Sequence, residues 1–120
     1  MKKVLHIDDE EDLLTLVKDL LEGVGYKVVT ASNGNEGLDK LKKEKVDLVL
    51  LDILMPGMSG WEVLKEIRKK HKNMNVVCMS IIPYNEEIDE NLKKKNIRAF
   101  IEKPFEKEEF LKEIDNIIKK

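Results

Sequence analysis

The pattern of apolar and polar residues divides the chain into alternating strand-like and helix-like segments. Short apolar runs, of the kind that fill buried strands, occupy residues 4–7, 28–31, 48–51, 76–79 and 99–101. Each run is followed by apolar residues at helical spacing, at residues 13–21, 38–41, 63–67, 88–92 and 110–118. Strands that alternate strictly with helices predict a doubly wound α/β fold, in which helices cover both faces of a parallel sheet through right-handed crossovers.

Residues between the segments support this assignment. Gly23 and Gly25 are placed to end the first helix, and Asn33-Gly34 to begin the second. The sequence Ser59-Gly60-Trp61-Glu62 predicts a capping box at the start of the third helix, with the serine as N-cap and the glutamate reaching back. The boundaries of the predicted helices are therefore marked independently of their apolar spacing.

Composition limits the possible classes of protein. The chain has 120 residues, which suits a single domain over residues 1–120. Its 22 basic and 24 acidic residues give a net charge of −2, which predicts no direct DNA binding. No apolar run approaches the roughly 20 residues of a membrane span, and the start has no signal peptide. The lone Cys78 has no disulfide partner, so we expect a cytoplasmic protein.

Carboxylates follow two of the predicted strands. Asp8 and Asp9 follow the first strand, and Asp52 ends the third and leads into a loop rich in Pro and Gly. Because strand ends in an open parallel sheet meet at one edge, we expect these three carboxylates to converge, and a divalent cation would offset their repulsion. Mg²⁺ fits this set, with Asp9 and Asp52 as direct ligands and Asp8 holding a bound water. Capping of the first helix by its acidic start is an alternative that explains Asp9 but not Asp52.

Two further polar residues are expected at the same edge. Ser80 ends the fourth strand and Lys103-Pro104 follows the fifth. A hydroxyl and an ammonium in these places would each bind one oxygen of a phosphoryl group carried on Asp52, while Mg²⁺ binds the third. His6, inside the first strand, is expected to be a core or edge histidine and not a ligand.

With these residues assembled, the chain resembles a receiver domain of a two-component response regulator, similar to a stand-alone chemotaxis receiver, over essentially its whole length. The resemblance implies a flavodoxin-like (βα)5 three-layer sandwich with strand order 2-1-3-4-5. The residues that carry it are Asp8-Asp9, Asp52 before Met55-Pro56-Gly57, Ser80, and Lys103-Pro104-Phe105.

The resemblance also implies a function. Asp52 would be the nucleophile that accepts a phosphoryl group from a phosphohistidine on a sensor histidine kinase or a histidine phosphotransfer protein. The domain would catalyse only this transfer and its own dephosphorylation, and would not otherwise be an enzyme. The Leu54 main-chain carbonyl would be a further Mg²⁺ ligand, and the Lys103-Pro104 peptide would be cis.

The same resemblance implies a conformational switch. Ser80 and Phe100 would move together and change the surface formed by the fourth helix, fifth strand and fifth helix; an ordinary core position is the alternative for Phe100. A downstream protein target would dock there, and a monomer could form a weak dimer through that surface. Asn96 stands where the family usually has Gly, and Asn tolerates the left-handed conformation better than most residues.

Three apolar residues near Asp52 depart from the family pattern. Ile81 stands where the family usually has a small residue. Leu54 and Ile82 have no polar group on their side chains to position an attacking water, which leads to the hypothesis of a long-lived phosphoryl state. Ile81 also keeps open the alternative of a receiver-like interaction module that works without phosphorylation.

Two other classes with related folds fit less well. A flavodoxin-like electron carrier would need a hydroxyl- and Gly-rich phosphate cradle after the first strand, where this chain has consecutive acids. A phosphatase with an aspartyl nucleophile would need a second acid two residues after Asp52, where Leu54 stands.

Overall fold

Each of the five predicted strands and five predicted helices is present in the computed structural model, which describes residues 2–119. In chain order the elements are β1 (Lys3–Ile7), α1 (Glu11–Glu22), β2 (Lys27–Ala31), α2 (Gly34–Lys43), β3 (Leu48–Asp52), α3 (Gly60–Lys70), β4 (Val76–Ser80), α4 (Glu86–Lys94), β5 (Ala99–Glu102) and α5 (Lys107–Lys119).

The strands form one parallel sheet in the order β2-β1-β3-β4-β5, which confirms the predicted fold. β1 lies between β2 and β3, so the chain reverses its direction of winding after β2. This reversal opens a crevice beyond the carboxyl ends of β1 and β3, where ligands bind in sheets of this kind.

Helices pack on both faces of the sheet and divide the core into two clusters. On one face, α2, α3 and α4 contribute Leu41, Leu64 and Leu92 to a cluster that includes Leu5 and Ile7 of β1. On the other face, α1 and α5 cover a second cluster that includes Val4 of β1. Alternate residues of β1 therefore enter opposite clusters, as expected for a strand buried on both faces.

The strands extend beyond the apolar runs that predicted them. β3 includes Asp52, which pairs with Met79, and β4 includes Ser80, which pairs with Glu102. Both polar residues are thus the last residues of strands and not the first residues of loops. Their main chains are held by the sheet, which limits how far their side chains can move.

Helix ends agree with the sequence in part. The capping box of α3 is confirmed: the Ser59 hydroxyl accepts the Glu62 N–H at 3.3 Å, and the Glu62 carboxylate accepts the Ser59 N–H at 3.4 Å. Gly25, after α1, has a φ of 98°, which favours glycine. The acidic start of α1 does not cap it, because the N-cap residue Glu10 makes no side-chain hydrogen bond to the helix.

A single arginine joins the ends of α3 and α4. The Arg68 guanidinium donates to the main-chain carbonyls of Met74 (2.8 Å), Lys95 (2.9 Å), Asn96 (2.9 Å) and His71 (3.2 Å). Asn96 has a φ of 54°, so the expected left-handed residue after α4 is present. Arg68 therefore satisfies the carbonyls of a turn that lacks glycine.

No helix in the described part of the chain is long and apolar enough to cross a membrane.

Candidate functional site

Three carboxylates meet at the carboxyl ends of β1 and β3. Asp8 and Asp52 are buried, whereas Asp9 is exposed. Each offers one oxygen, and these oxygens all lie within 4.8 Å of one another. The adjacency of β1 and β3 in the sheet brings the residues together, because each strand delivers its acid to the same edge.

Lys103 reaches this cluster from the connection between β5 and α5. Its Nζ lies 2.8 Å from Asp8 Oδ2, 3.4 Å from Asp52 Oδ1 and 3.4 Å from Glu10 Oε1. The Lys103–Pro104 peptide bond is cis. The closest partner of the ammonium is thus Asp8 and not Asp52, a preference that the sequence did not predict.

The pKa values of the two buried acids are shifted in opposite directions. Burial and the charge of Asp8 raise the pKa of Asp52 from 3.8 to about 7, against the opposing effect of Lys103. Burial also opposes ionisation of Asp8, but His6, Lys103 and the Glu10 N–H outweigh it and lower the pKa of Asp8 to about 2. Asp8 is therefore ionised throughout the ordinary pH range, whereas the charge of Asp52 is only weakly compensated.

The lysine is held in its charged form by the same neighbours. Burial alone would lower the pKa of Lys103, but Asp8, Asp52 and Glu10 raise it above its usual value. One ammonium thus faces several carboxylates, and the edge retains excess negative charge.

Ser80 lies at the end of β4, and its side chain is buried. Its Oγ accepts the main-chain N–H of Ile82 at 3.1 Å, so the hydroxyl hydrogen remains free to donate to another group. The main-chain carbonyl of Ser80 accepts the Lys103 N–H at 2.8 Å, which couples the ends of β4 and β5.

The first turn of α3 packs against the main chain at Asp52. The Gly60 N–H donates to the Ile53 carbonyl at 2.9 Å. A Cβ added at Gly60 would lie 2.6 Å from the Ile53 Cα, and closer still to the carbonyl oxygen of Asp52. Glycine is needed here for close approach, and the capping box of α3 keeps the helix in that place.

Phe100 lies away from the carboxylates, on β5. It is half-buried, and its ring centroid is 6.0 Å from that of Tyr84 in the loop between β4 and α4. The Tyr84 N–H donates to Glu102 at 2.8 Å, and its hydroxyl is hydrogen-bonded to Asp89 of α4. These contacts link the loop after Ser80 to β5 and α4.

Two loop residues that the sequence placed near Asp52 are largely exposed. The exposed fraction is 47% for Leu54 and 66% for Ile81. Much of the Ile81 side chain is therefore open to solvent.

Glu10 and His6 also lie at the site, although neither was predicted to. The sequence predicted that His6 is a core or edge histidine, and the residue is buried. Its Nε2 nevertheless lies 3.5 Å from Asp8 Oδ2. Residues 6 and 8 follow the alternation of β1, and this two-residue spacing was the available signal. Residue 10 is likewise two positions from Asp8, and its main-chain N–H donates to Asp8 Oδ1 at 3.0 Å.

The donor set suits a hard divalent cation. All three acidic side chains offer oxygen, and Mg²⁺ is bound in proteins by one or two carboxylates with several waters. The raised pKa of Asp52 agrees with this, because a nearby cation would supply the missing positive charge.

Comparison with known proteins identifies the family. Residues 4–115 match the response regulator receiver domain family. The chain is 41% identical over 91 residues to the alkaline phosphatase synthesis transcriptional regulatory protein PhoP of Bacillus subtilis, with 76% of this chain and 37% of PhoP covered. It is 33% identical to the chemotaxis protein CheY of Thermotoga maritima, with 98% of each chain covered.

Solved structures agree. The response regulator protein TrrA of Thermotoga maritima, crystallised in complex with Mg²⁺ and BeF, is 35% identical, with a TM-score of 0.84 and 98% of this chain and 99% of TrrA covered. The chain spans about a third to a half of the length of the transcriptional regulators it matches and nearly all of the CheY-like proteins. On the evidence of its sequence, its fold and its cluster of acids, the chain belongs to the response regulator receiver domain family of two-component systems.

Proposed function

We propose that this chain accepts a phosphoryl group on Asp52 from a phosphohistidine of a sensor histidine kinase or a histidine phosphotransfer protein. The observation that carries the proposal is the environment of Asp52. It is a buried carboxylate with Lys103 Nζ 3.4 Å away and with Asp8 and Asp9 within reach of the same cation. Such a site combines a nucleophile with groups that stabilise charge on a transferred phosphoryl group.

The transfer can be written with its atoms and electrons balanced. An oxygen of the Asp52 carboxylate forms a bond to phosphorus while the P–N bond of the phosphohistidine breaks, and the electron pair of that bond stays on the imidazole. The signal ends by hydrolysis: water attacks phosphorus, the acyl phosphate P–O bond breaks, and the carboxylate and inorganic phosphate are released. Lys103 and the Ser80 hydroxyl each bind one phosphoryl oxygen.

Mg²⁺, when bound, neutralises negative charge on the transferring group. Asp9, Asp52 and the Leu54 carbonyl are the proposed protein ligands, and Asp8 is proposed to hold a coordinated water. Asp8 already accepts hydrogen bonds from Lys103 and the Glu10 N–H, so it is oriented before any cation arrives. TrrA, which is similar to this chain, was crystallised in complex with Mg²⁺ and BeF, which supports the proposal of a Mg²⁺ site.

The signal is proposed to pass from Ser80 to the surface of α4, β5 and α5, on which a downstream protein docks. The contacts among Tyr84, Phe100 and Glu102 offer a route, because they join the loop after Ser80 to β5. Phosphorylation would shift the population between two arrangements of this region. We further propose one receiver domain over residues 1–120, in the cytoplasm, that is a monomer or weak dimer through the same surface.

The phosphoryl group on this domain is proposed to be long-lived. Leu54 and Ile82 have no side-chain donor or acceptor to orient an attacking water, and the Ile82 N–H is used by Ser80. A phosphate-release assay on the purified phosphorylated domain with Mg²⁺ tests this. Rapid release of phosphate would contradict it.

The function itself is tested by incubating the domain with Mg²⁺ and acetyl phosphate, followed by intact-mass measurement. We expect one added phosphoryl group on the wild type and on Asp39→Asn, an exposed control on α2, and none on Asp52→Ala. An adduct that persists on Asp52→Ala would place the acceptor elsewhere.

A second candidate is a receiver-like interaction module that acts without phosphate. The exposed Ile81 favours it, since an apolar side chain open to solvent beside the site suits a protein contact. Absence of any adduct on the wild type, together with equal binding of a partner by wild type and Asp52→Ala, would favour this module over the phosphoacceptor.

A further inference from the structure

The imidazole of His6 is the least satisfied polar group at the site. The residue is fully buried in the first strand, and neither Nδ1 nor Nε2 has a hydrogen-bond partner within the described residues. Buried side-chain polar atoms in folded proteins nearly always have a partner, so two unpartnered nitrogens in one ring need an explanation. The ring lies next to Asp8, with Nε2 3.5 Å from Asp8 Oδ2.

In this structure, Lys103 is the hydrogen-bond donor to Asp8 Oδ2. Its Oδ1 accepts the Glu10 N–H at 3.0 Å, and its Oδ2 accepts Lys103 Nζ at 2.8 Å. His6 Nε2 approaches the same Oδ2 but is too far away to form a hydrogen bond of ordinary length. One carboxylate oxygen thus faces two potential donors, of which only the lysine is bound.

The proposed function gives Lys103 a new partner. A phosphoryl group on Asp52 brings new oxygens to the side of the ammonium that is 3.4 Å from Asp52 Oδ1. If Nζ moves towards one of these oxygens, its contact with Asp8 Oδ2 lengthens although Asp8 is buried. A coordinated water on Asp8 is neutral, so it replaces the lost ammonium contact only in part, and this cost would oppose the movement of Lys103.

We infer that His6 is a positioning residue that donates from Nε2 to Asp8 Oδ2 when Lys103 moves to the phosphoryl group. The inference rests on the proposed function, because without phosphoryl transfer Lys103 has no reason to leave Asp8. A carboxylate can only accept, so in this role Nε2 must carry a proton. His6 acts through Asp8 and does not touch the reacting atoms.

The competing explanation is that His6 only fills space in the core. Its strand neighbours in the sheet are Thr30 and Leu50, and residue 4 on the same face of β1 belongs to the apolar cluster under α1 and α5. If His6 only filled space, an apolar residue of similar size would serve equally well. The two explanations therefore make different predictions for the phosphorylated state.

The test compares wild type, His6→Leu, which has no donor, and His6→Gln, which keeps one. The affinity for Mg²⁺ alone, and the affinity for beryllofluoride at saturating Mg²⁺, are both measured by Trp61 fluorescence. We expect His6→Leu to weaken beryllofluoride binding about tenfold, the loss of one hydrogen bond to a charged group, with a much smaller effect on Mg²⁺. His6→Gln should recover part of the loss. Equal losses for both ligands in His6→Leu, or no loss, would overturn the inference.

A second measurement needs no variant. Nitrogen-15 NMR of the His6 ring in the wild type should show the proton on Nε2, and exchange of this proton with water should slow on addition of Mg²⁺ and beryllofluoride. An Nε2 without a proton in that complex would refute the role. If the wild type binds no beryllofluoride, the proposed function fails; if it binds normally and His6 is unchanged, only this inference fails.

Discussion

Replacement of Asp52 by Asn should stabilise the domain in the absence of divalent cations, and the gain should depend on pH. Asp52 is buried next to Asp8, and its pKa is raised from 3.8 to about 7. The unfolded chain therefore ionises this group near pH 4, whereas the native protein keeps it protonated up to about pH 7. Over that interval the native state binds the extra proton, so the free energy of unfolding falls as pH rises.

The size of the effect follows from the shift. The rise from 3.8 to about 7 is roughly 3 pH units. At about 1.4 kcal/mol per unit this amounts to about 4 kcal/mol, and relaxation around the ionised group reduces it to about 2–4 kcal/mol. An amide lacks this penalty, so Asp52→Asn should match the wild type near pH 4 and exceed it by about 2–4 kcal/mol at pH 8. For a domain of this size, the difference corresponds to roughly 10 °C in Tm.

The measurement is urea unfolding in EDTA at a series of pH values from 4 to 8. Asp39→Asn is the matched control, because Asp39 is exposed on α2 and forms an ion pair with Lys43 at 3.1 Å. It should change stability by less than about 1 kcal/mol across the series. Addition of Mg²⁺ at pH 8 should stabilise the wild type and remove the advantage of Asp52→Asn.

A gain that is the same at pH 4 and pH 8 would refute the reasoning. It would mean that Asp52 ionises at its ordinary pKa, and hence that burial and the charge of Asp8 are fully compensated. Extending the series from pH 4 down to about pH 2 tests the environment of Asp8 separately. Its pKa is lowered to about 2, so its contribution is present above pH 4 and is lost as pH falls towards 2, in wild type and variant alike.

Three further substitutions test the supports of the site. Gly60→Ala should displace the start of α3 from the Asp52 main chain. The free energy of unfolding, measured by chemical denaturation, should fall by about 2–4 kcal/mol, and phosphorylation by acetyl phosphate should be slower. Unchanged stability would show that the added methyl group is accommodated. Arg68→Gln should lower the free energy of unfolding by about 2 kcal/mol, because hydrogen bonds to four carbonyls are lost. The control Lys69→Gln, at an exposed position, should change it little. Equal losses for the two variants would show that the Arg68 hydrogen bonds do not stabilise the domain. Tyr26→Phe should cost about 1 kcal/mol, since its hydroxyl donates to α5 at 2.7 Å, and an unchanged unfolding midpoint would show that this bond adds nothing.

The fold was predictable because its signals are local and repeated. Each strand is an apolar run and each helix has its own apolar spacing, so an error at one boundary does not change the architecture. The boundaries themselves were less accurate. Asp52 and Ser80 pair within the sheet as the predicted last residues of their strands, but Lys3 and Lys27, which lie outside the apolar runs, also pair with each other. Polarity at the end of a strand marks the edge of the apolar core and not the end of the hydrogen-bonded ladder.

The site was predictable in its members but not in its contacts. Parallel strands deliver their last residues to one edge, which brings Asp8 and Asp52 together whatever their side chains do. The Lys103 ammonium lies closer to one carboxylate than to another because of side-chain rotamers and the burial of each acid. A pattern of apolar runs shows neither the rotamers nor the burial. The proximity of His6 to Asp8 requires the register of β1 and the direction of the ring, so a histidine in an apolar run was assigned to the core alone.

The arginine between α3 and α4 also affects how this chain can diverge in sequence. The turn after α4 has asparagine instead of glycine at its left-handed position, and its carbonyls at Lys95 and Asn96 are bound by a side chain from a different helix. The residue types at positions 68 and 96 therefore depend on each other, although the two positions are distant along the chain. A relative that loses the arginine must satisfy these carbonyls in another way, so substitutions at the two positions should be correlated among sequences of this type.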